Sequence, residues 1–281
     1  MNSAQADRWR DVRGRVAVIT GGASGIGKGM ARYFTAEGMH VVLADVEEGA
    51  LNATAAEIGA VPVVTDVRDL LSVRMLADET LRRFGKVDLL CNNAGVGPKC
   101  KIADATADDW RWLIDVNLMG VAHGLSAFLP TLMSNPSGAH VVNTASIGGF
   151  VTGPEVGIYG ATKAAVVAMS EALHLEMMMS GVPVGVTILA PGPVRTGIFN
   201  SDRNKPRELS EIHGRNVDLA TDPFFADAEW VDPDAVGLIV FDAIRRGALY
   251  VTTHPKLADP VEDRMRAILA DMRASGPKSD D

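Results

Sequence analysis

An α/β fold with a doubly wound parallel sheet of about seven strands and helices on both faces, in a single domain, is what the sequence predicts. Three observations carry it: short apolar β-branched runs alternate with longer helical patterns, glycines cluster directly after the first run, and no linker separates two composition regimes. Length fits, since 281 residues at 47% hydrophobic and 22% charged composition can bury one sizeable core.

The strand candidates are residues 16–20, 40–45, 61–65, 87–92, 139–144, 184–190 and 248–251. Between them, apolar spacing at the helical period marks 26–36, 47–58, 69–84, 107–129 and 157–180, with 234–245 and 260–273 toward the end. Right-handed crossovers between parallel strands place these helices on alternate faces of the sheet. The division is an N-terminal arm over 1–13, one α/β domain over 14–258, and a C-terminal helix with an acidic tail over 259–281. Residues 194–230, rich in Asn, Asp, Arg and Pro, are too long for an ordinary connection and read as a lid or binding loop.

Composition excludes several function classes. A net charge of −8, from 27 basic against 35 acidic residues, has the wrong sign for nucleic-acid affinity. Cys91 and Cys100 make no disulfide framework, the six histidines are scattered, and no metal site is expected. The first fifteen residues lack an apolar leader, and no run of eighteen residues is free of charges and turn formers, so a membrane role is not expected and a reducing cytoplasm fits best.

The first strand, VAVIT over 16–20, runs into GGASGIG over 21–27 and then into a helix. Glycine permits the tight turn, and the helix N-terminus offers unpaired N–H groups to a pyrophosphate. Gly21, Ser24, Gly25, Ile26 and Gly27 are thus candidate cofactor contacts in a Rossmann-type unit. The same residues nearly match a nucleotide-hydrolase phosphate loop, but Gly29 stands where a magnesium-binding Ser or Thr is needed, so that reading fails. Lys28 is then a solvated helix residue. Asp45 closes the second strand about twenty residues on, where a carboxylate can accept both adenosine-ribose hydroxyls and repel a 2′-phosphate, favouring NAD over NADP.

Further motifs follow in order: NNAG over 92–95, Asn117, Ser146 after Asn143, YGATK over 159–163, Pro191-Gly192 and Thr196. Together with the glycine loop this set resembles the short-chain dehydrogenase/reductase family over roughly residues 14–250. The resemblance implies an NAD(P)-dependent alcohol dehydrogenase that prefers NAD, with Asn117, Ser146, Tyr159 and Lys163 as catalytic residues. Tyr159 and Lys163, four apart on a helix, share one face, so the ammonium can lower the phenol pKa and let Tyr159 act as general acid and base. Ser146 would stabilise charge on the substrate oxygen. The resemblance further places Lys163 on the nicotinamide ribose, and has Asn117 position a water beside it. It also puts Asp66 and Val67 against adenine, Asn93, Ala94 and Gly95 along the adenosine ribose, and Pro191, Gly192, Val194 and Thr196 at the nicotinamide. Ala145 departs from the Ser common in the family before the catalytic serine.

Ile147, Phe150, Val151, Val156, Ile198, Phe199, Phe224 and Phe225 supply an apolar inventory suited to a hydrophobic secondary alcohol or ketone, while Glu155 is expected to face solvent. The end of the chain, ALYVTTHP over 248–255, resembles the subgroup that contains the lignin Cα-dehydrogenases, which implies an aromatic, benzylic alcohol. By family resemblance, helices starting near Thr106 and Gly157 pack against their copies, giving a homodimer or homotetramer. Two further readings stand beside this one: a ketone reductase working mainly in reverse, and a non-catalytic nucleotide sensor on the same fold.

Overall fold

The computed structural model describes residues 8–217, 222 and 227–275. Seven parallel strands form one sheet in the order β3-β2-β1-β4-β5-β6-β7: β1 Val16–Thr20, β2 His40–Asp45, β3 Val61–Val64, β4 Leu89–Asn92, β5 Ala139–Thr144, β6 Val184–Leu189 and β7 Tyr250–Val251. The helices are α1 Gly25–Ala36, α2 Glu48–Ile58, α3 Leu70–Phe84, α4 Ala107–Met133, α5 Gly157–Ser180, α6 Pro233–Arg246 and α7 Ala258–Ala274. Every expected element is present, with ends displaced by no more than a few residues.

Alternation along each strand explains the two-sided burial. In β1, Ala17 and Ile19 face a core made with Met30 and Phe34 of α1, Leu51 of α2 and Val240 of α6. Val18 faces the opposite core, with Leu76 of α3, Phe128 of α4 and Val166 of α5. All five β1 residues are buried, as a central parallel strand requires.

Two helices approach closely through glycine. A Cβ on Gly29 of α1 would lie 2.0 Å from the Pro233 carbonyl oxygen, and one on Gly237 of α6 would lie 2.4 Å from the Tyr33 Cβ. Gly29, the residue that spoils the magnesium-binding phosphate loop, is therefore required by a helix crossing. Lys28 is not free in solvent: its Nζ sits 2.8 Å from Glu57, which also pairs with Arg32.

Helix α4 was expected as one continuous stretch. It is interrupted by a π-turn over Ile114–Met119, which swings its two halves into separate roles. By length and composition α4 could cross a bilayer. Here Val121, Leu125, Phe128 and Leu132 bury its apolar face against the sheet, which makes it a core helix.

The described part of the N-terminal arm is docked. Trp9 is buried edge-on against His140, with the Arg15 guanidinium 4.5 Å above its ring. His140 is itself held neutral, burial pulling its pKa down to about 3, and it bonds Thr187 Oγ1 at 2.9 Å.

Gly29→Ser is expected to lose at least about 2 kcal/mol of stability from overpacking at the α1/α6 crossing. Urea denaturation checks this, and an unchanged midpoint would mean that the helices are further apart than described.

Candidate active site

All seven strands point the same way, so their carboxyl ends share one edge, and there a cleft of about 480 Å³ opens. Its floor is the glycine loop. Gly21 has φ of 65°, a left-handed conformation that side chains disfavour. A Cβ on Gly27 would stand 2.1 Å from the Gly21 carbonyl oxygen, so the loop can fold over the start of α1 only without one.

Beneath the loop lies a polar knot. Thr20 Oγ1 accepts from the backbone N–H groups of Asn93 (2.9 Å) and Ala94 (3.1 Å), while Asn93 Nδ2 donates to the Thr20 carbonyl at 3.0 Å. Thr144 Oγ1 donates to Asn93 Oδ1 at 3.3 Å, tying the ends of β1, β4 and β5 together. The Asn93 side chain thus ties together the floor of the cleft, which it also lines. Thr20 was missed in the sequence; its only signal was its place before the first glycine.

Asp45, at the end of β2, lines the cleft with its carboxylate partly engaged. Oδ2 accepts from Ala23 N–H and Oδ1 from Glu47 N–H, each at 3.0 Å. Burial pushes its pKa up, opposed by those backbone donors. An ionised carboxylate has about four acceptor positions, so two remain for hydroxyls. Asp66 also lines the cleft, but Arg68 grips its carboxylate, with Nη2 at 2.7 Å. Val67 is pinned from α4, where His123 Nδ1 bonds its carbonyl at 2.9 Å.

At the other end stand Ser146, Tyr159 and Lys163. Ser146 Oγ accepts from Gly148 N–H at 3.1 Å and hydrogen-bonds the half-buried Tyr159 side chain. Lys163 is 2% exposed; its Nζ donates to the Thr144 carbonyl at 2.8 Å and lies 5.7 Å from the Tyr159 ring centre. Burial pulls the Lys163 pKa down to about 8. The phenol does not follow the expected direction: burial raises the Tyr159 pKa and only the Ser146 hydroxyl lowers it. Desolvation of the phenolate dominates, and Lys163, 5.7 Å from the ring centre, is not among the causes of the shift.

Asn117 sits inside the π-turn, fully buried. Its Oδ1 accepts from Val96 N–H and its Nδ2 donates to the Val96 carbonyl, both at 2.9 Å, with Thr162 Oγ1 at 3.2 Å. The side-chain amide is therefore committed to holding the strand-exit loop against α5.

The described residues of the 194–230 segment behave as a strap. Gly97 N–H donates to the Ile198 carbonyl, and Lys99 pairs with Arg215 in a short antiparallel bridge. Between these points the chain crosses to the Asp45 end, where Arg203 Nε and Asn204 Nδ2 both bond Glu47 Oε1 at 2.9 Å and Glu208 pairs with Arg68 at 2.9 Å. The strap thus covers the half of the cleft beside Asp45.

The apolar wall differs from the inventory read in sequence. Ile198 lines the cleft, joined by Val96, Trp112 and Val116 from the π-turn side. Phe150 turns away and packs on Tyr250, ring centres 6.1 Å apart, because the 3-10 turn Ile147–Gly149 points it back toward the sheet edge. Phe224 and Phe225 lie outside the described residues. Glu155 does not simply face solvent: it holds φ of 62° and pairs with Arg215 at 3.0 Å.

One support was invisible in the sequence. Thr253 Oγ1 accepts from Gly192 N–H at 3.0 Å and contacts His254 Nδ1 at 2.7 Å, and His254 Nε2 meets the Glu229 carbonyl at 2.7 Å. Nε2 faces a carbonyl and must carry a proton, so Nδ1 can accept the Thr253 hydroxyl proton. The turn after β6 and the exit of the strap therefore rest on one buried relay. Among the described residues no group of His, Cys, Asp and Glu is arranged to hold a metal.

A family model for the short chain dehydrogenase matches residues 15–207, more than half of the chain. The chain belongs to the short-chain dehydrogenase/reductase family. It is thereby an NAD(P)-dependent oxidoreductase. A short-chain dehydrogenase/reductase from Burkholderia phymatum, solved in complex with NAD, is 39% identical and superposes with a TM-score of 0.87 over 96% of this chain and 99% of its own. A C alpha-dehydrogenase from Sphingobium sp. (strain NBRC 103272 / SYK-6) is 30% identical over 92% of this chain and 87% of its own. A CLA biosynthesis dehydrogenase/reductase from Lactiplantibacillus plantarum is 28% identical over 93% and 96%.

Two outcomes are expected from this geometry. Between the lowered Lys163 pKa of about 8 and the ordinary value of 10.5, the unfolded chain binds the extra proton, so stability attributable to this residue rises with pH. Wild-type protein should gain stability on Lys163→Met across that window in denaturation at stepped pH; a constant difference would refute the lowered pKa. Thr253→Val should raise the KM for NAD about threefold to tenfold, one hydrogen bond's worth, while Thr253→Ser retains the parent value.

Proposed function

We propose that this NAD-dependent oxidoreductase interconverts a hydrophobic secondary alcohol and its ketone, with an aromatic, benzylic alcohol as the favoured class. The observation that carries the reading is the meeting of Ser146, Tyr159 and Lys163 at one end of a cleft whose other end presents Asp45. A binding protein has no use for a phenol hydrogen-bonded to a serine beside a buried amine, an arrangement that costs stability.

The cleft fits NAD by its chemistry. The glycine loop offers a cradle that a single Cβ would fill, and Asp45 keeps acceptor positions for two ribose hydroxyls. A 2′-phosphate there would meet like charge, which favours NAD over NADP. Gly21, Ser24, Gly25, Ile26 and Gly27 would line the phosphates, Asp66 and Val67 the adenine, Asn93, Ala94 and Gly95 the adenosine ribose, and Pro191, Gly192, Val194 and Thr196 the nicotinamide. When bound, NAD accepts the hydride from the carbinol carbon.

Ser146 donates a hydrogen bond to the substrate oxygen and holds it beside the Tyr159 phenol. In oxidation the substrate hydroxyl proton passes to the Tyr159 phenolate as the C–H bond breaks; in reduction the phenol returns it to the carbonyl oxygen. Because burial holds the phenol above its ordinary pKa, the Lys163 ammonium is needed to favour the phenolate. Lys163 also reaches the nicotinamide-ribose hydroxyls in this reading. Asn117 positions the loop around Val96 that walls the substrate.

Substrate class rests on that wall. Val96, the buried Trp112 and Val116 pack with Tyr159, and Ile198 lines the same cleft, an apolar surround that suits an apolar substituent on the carbinol carbon. The likeness to a C alpha-dehydrogenase supports the same class.

Absorbance of reduced nicotinamide, followed with NAD or NADP over benzylic, alicyclic and steroidal secondary alcohols, tests the proposal. Turnover is expected with NAD on benzylic alcohols. Tyr159→Phe should cut kcat by about 10²–10⁴-fold while NADH affinity stays within a factor of two. Turnover by Tyr159→Phe at the parent rate would overturn the acid–base assignment, and preference for NADP would overturn the role of Asp45.

A further inference from the structure

Of the α-helices described, only α7 has no buried residue. It is nevertheless not polar all round. Met265, Leu269 and Met272 are 45%, 43% and 68% exposed, and Val261 and Ile268 are half-buried. Val261, Met265, Ile268 and Met272 are spaced four, three and four apart, which places them within an arc of about 60° on one face. That is the spacing of a two-helix seam. A helix of this length with an unpacked apolar face is marginal in water, because helix stability in proteins comes chiefly from burying that face.

The charges beside the seam identify its partner. Arg264 and Asp271 flank it on one side, each one position before a layer residue of the seam. When two copies of the helix run antiparallel about a two-fold axis, Met265 meets Ile268 of the other copy and Val261 meets its Met272. The same register sets Arg264 beside Asp271 of the other copy, and symmetry repeats the pair. The acidic start of the helix, with Asp259, Glu262 and Asp263, then lies along the end that carries Arg273. A parallel arrangement would lay acid on acid. An anionic membrane surface is a poor alternative, since Arg264, Arg266 and Arg273 are outnumbered by Asp259, Glu262, Asp263 and Asp271.

We propose that α7 is a self-association helix, which pairs antiparallel with α7 of a second copy of this chain. One such pair buries less than the roughly 800 Å² per partner of a standard interface, so its contribution depends on protein concentration. Its position also matters to the cleft. The helix begins just after His254 and Leu257, and a Cβ on Gly192 would lie 2.7 Å from Leu257 Cδ1. Pairing the helix anchors the segment that supports the turn after β6.

The test uses the full-length protein in a Cys100→Ser background. Met265→Cys and Ile268→Cys proteins are mixed and treated with a short bis-maleimide. The register predicts a cross-linked dimer in the mixture well above that from either protein alone. Equal cross-linking in all three samples, or none, would overturn it. The yield of the mixed cross-link gives a second reading: Arg264→Asp in both proteins should lower it about tenfold, by converting two attractive pairs into repulsive ones, and Arg264→Asp with Asp271→Arg should restore it. Failure of the double reversal to restore the yield would also overturn the pairing, and thermal melts confirm that each variant is folded.

Discussion

Keeping the Lys163 amine out of water is costly, and much of the cleft is arranged around making that tolerable. Removing an ammonium from water costs several kcal/mol unless acceptors replace the lost hydration. The Thr144 carbonyl supplies one at 2.8 Å, available because β5 ends there and the next residues turn away toward Ser146. Gly95 packs close on the other side: a Cβ there would crowd Asn117 Oδ1 at 3.3 Å and touch Nζ at 3.5 Å. Holding Lys163 in place thus sets the end of β5, the loop after β4 and the π-turn in α4. The lowered pKa leaves the residue close to losing its proton near neutral pH, which is useful beside a phenol that must exchange one.

The walls of the cleft depend on connections that are distant in sequence. Asp109 caps the first turn of α4 with Thr106 and also accepts from His213 and Gly214 of the strap, at 3.2 and 2.8 Å. The strap is therefore fastened at the substrate end by a helix cap and at the Asp45 end by Glu47 and Arg68. Exposed ion pairs such as Glu47 with Arg203 contribute little each, about 0.2–1 kcal/mol. Several together can hold a segment closed while still allowing it to open, which suits a cleft that must take in and release a dinucleotide.

A second buried chain of polar groups runs behind the site. Asn92 Nδ2 donates to Asn143 Oδ1, and Asn143 Nδ2 donates to Ser170 Oγ, each at 2.9 Å, joining β4, β5 and α5. Gly124 of α4 makes this possible, as a Cβ there would lie 2.0 Å from Asn92 Oδ1. Such a chain aligns the strand ends to within the tolerance that positioned side chains require.

The sheet, its helices and the edge of the sheet that carries the cleft were legible in the order of residues alone. Those features follow from local patterns: apolar alternation, glycines after the first strand, an acid closing the second, and a tyrosine and lysine one helical turn apart. Partners far apart in the chain left no such pattern. The π-turn that buries Asn117, the Thr20 and Asn93 knot, the route of the strap past Glu47 and the His254 relay beneath Gly192 each depend on groups that only folding brings together. The direction of the Tyr159 pKa shift was decided in the same way. Spacing places a lysine beside the phenol, but the extent to which both lose water depends on how the strap, α4 and α5 close around them.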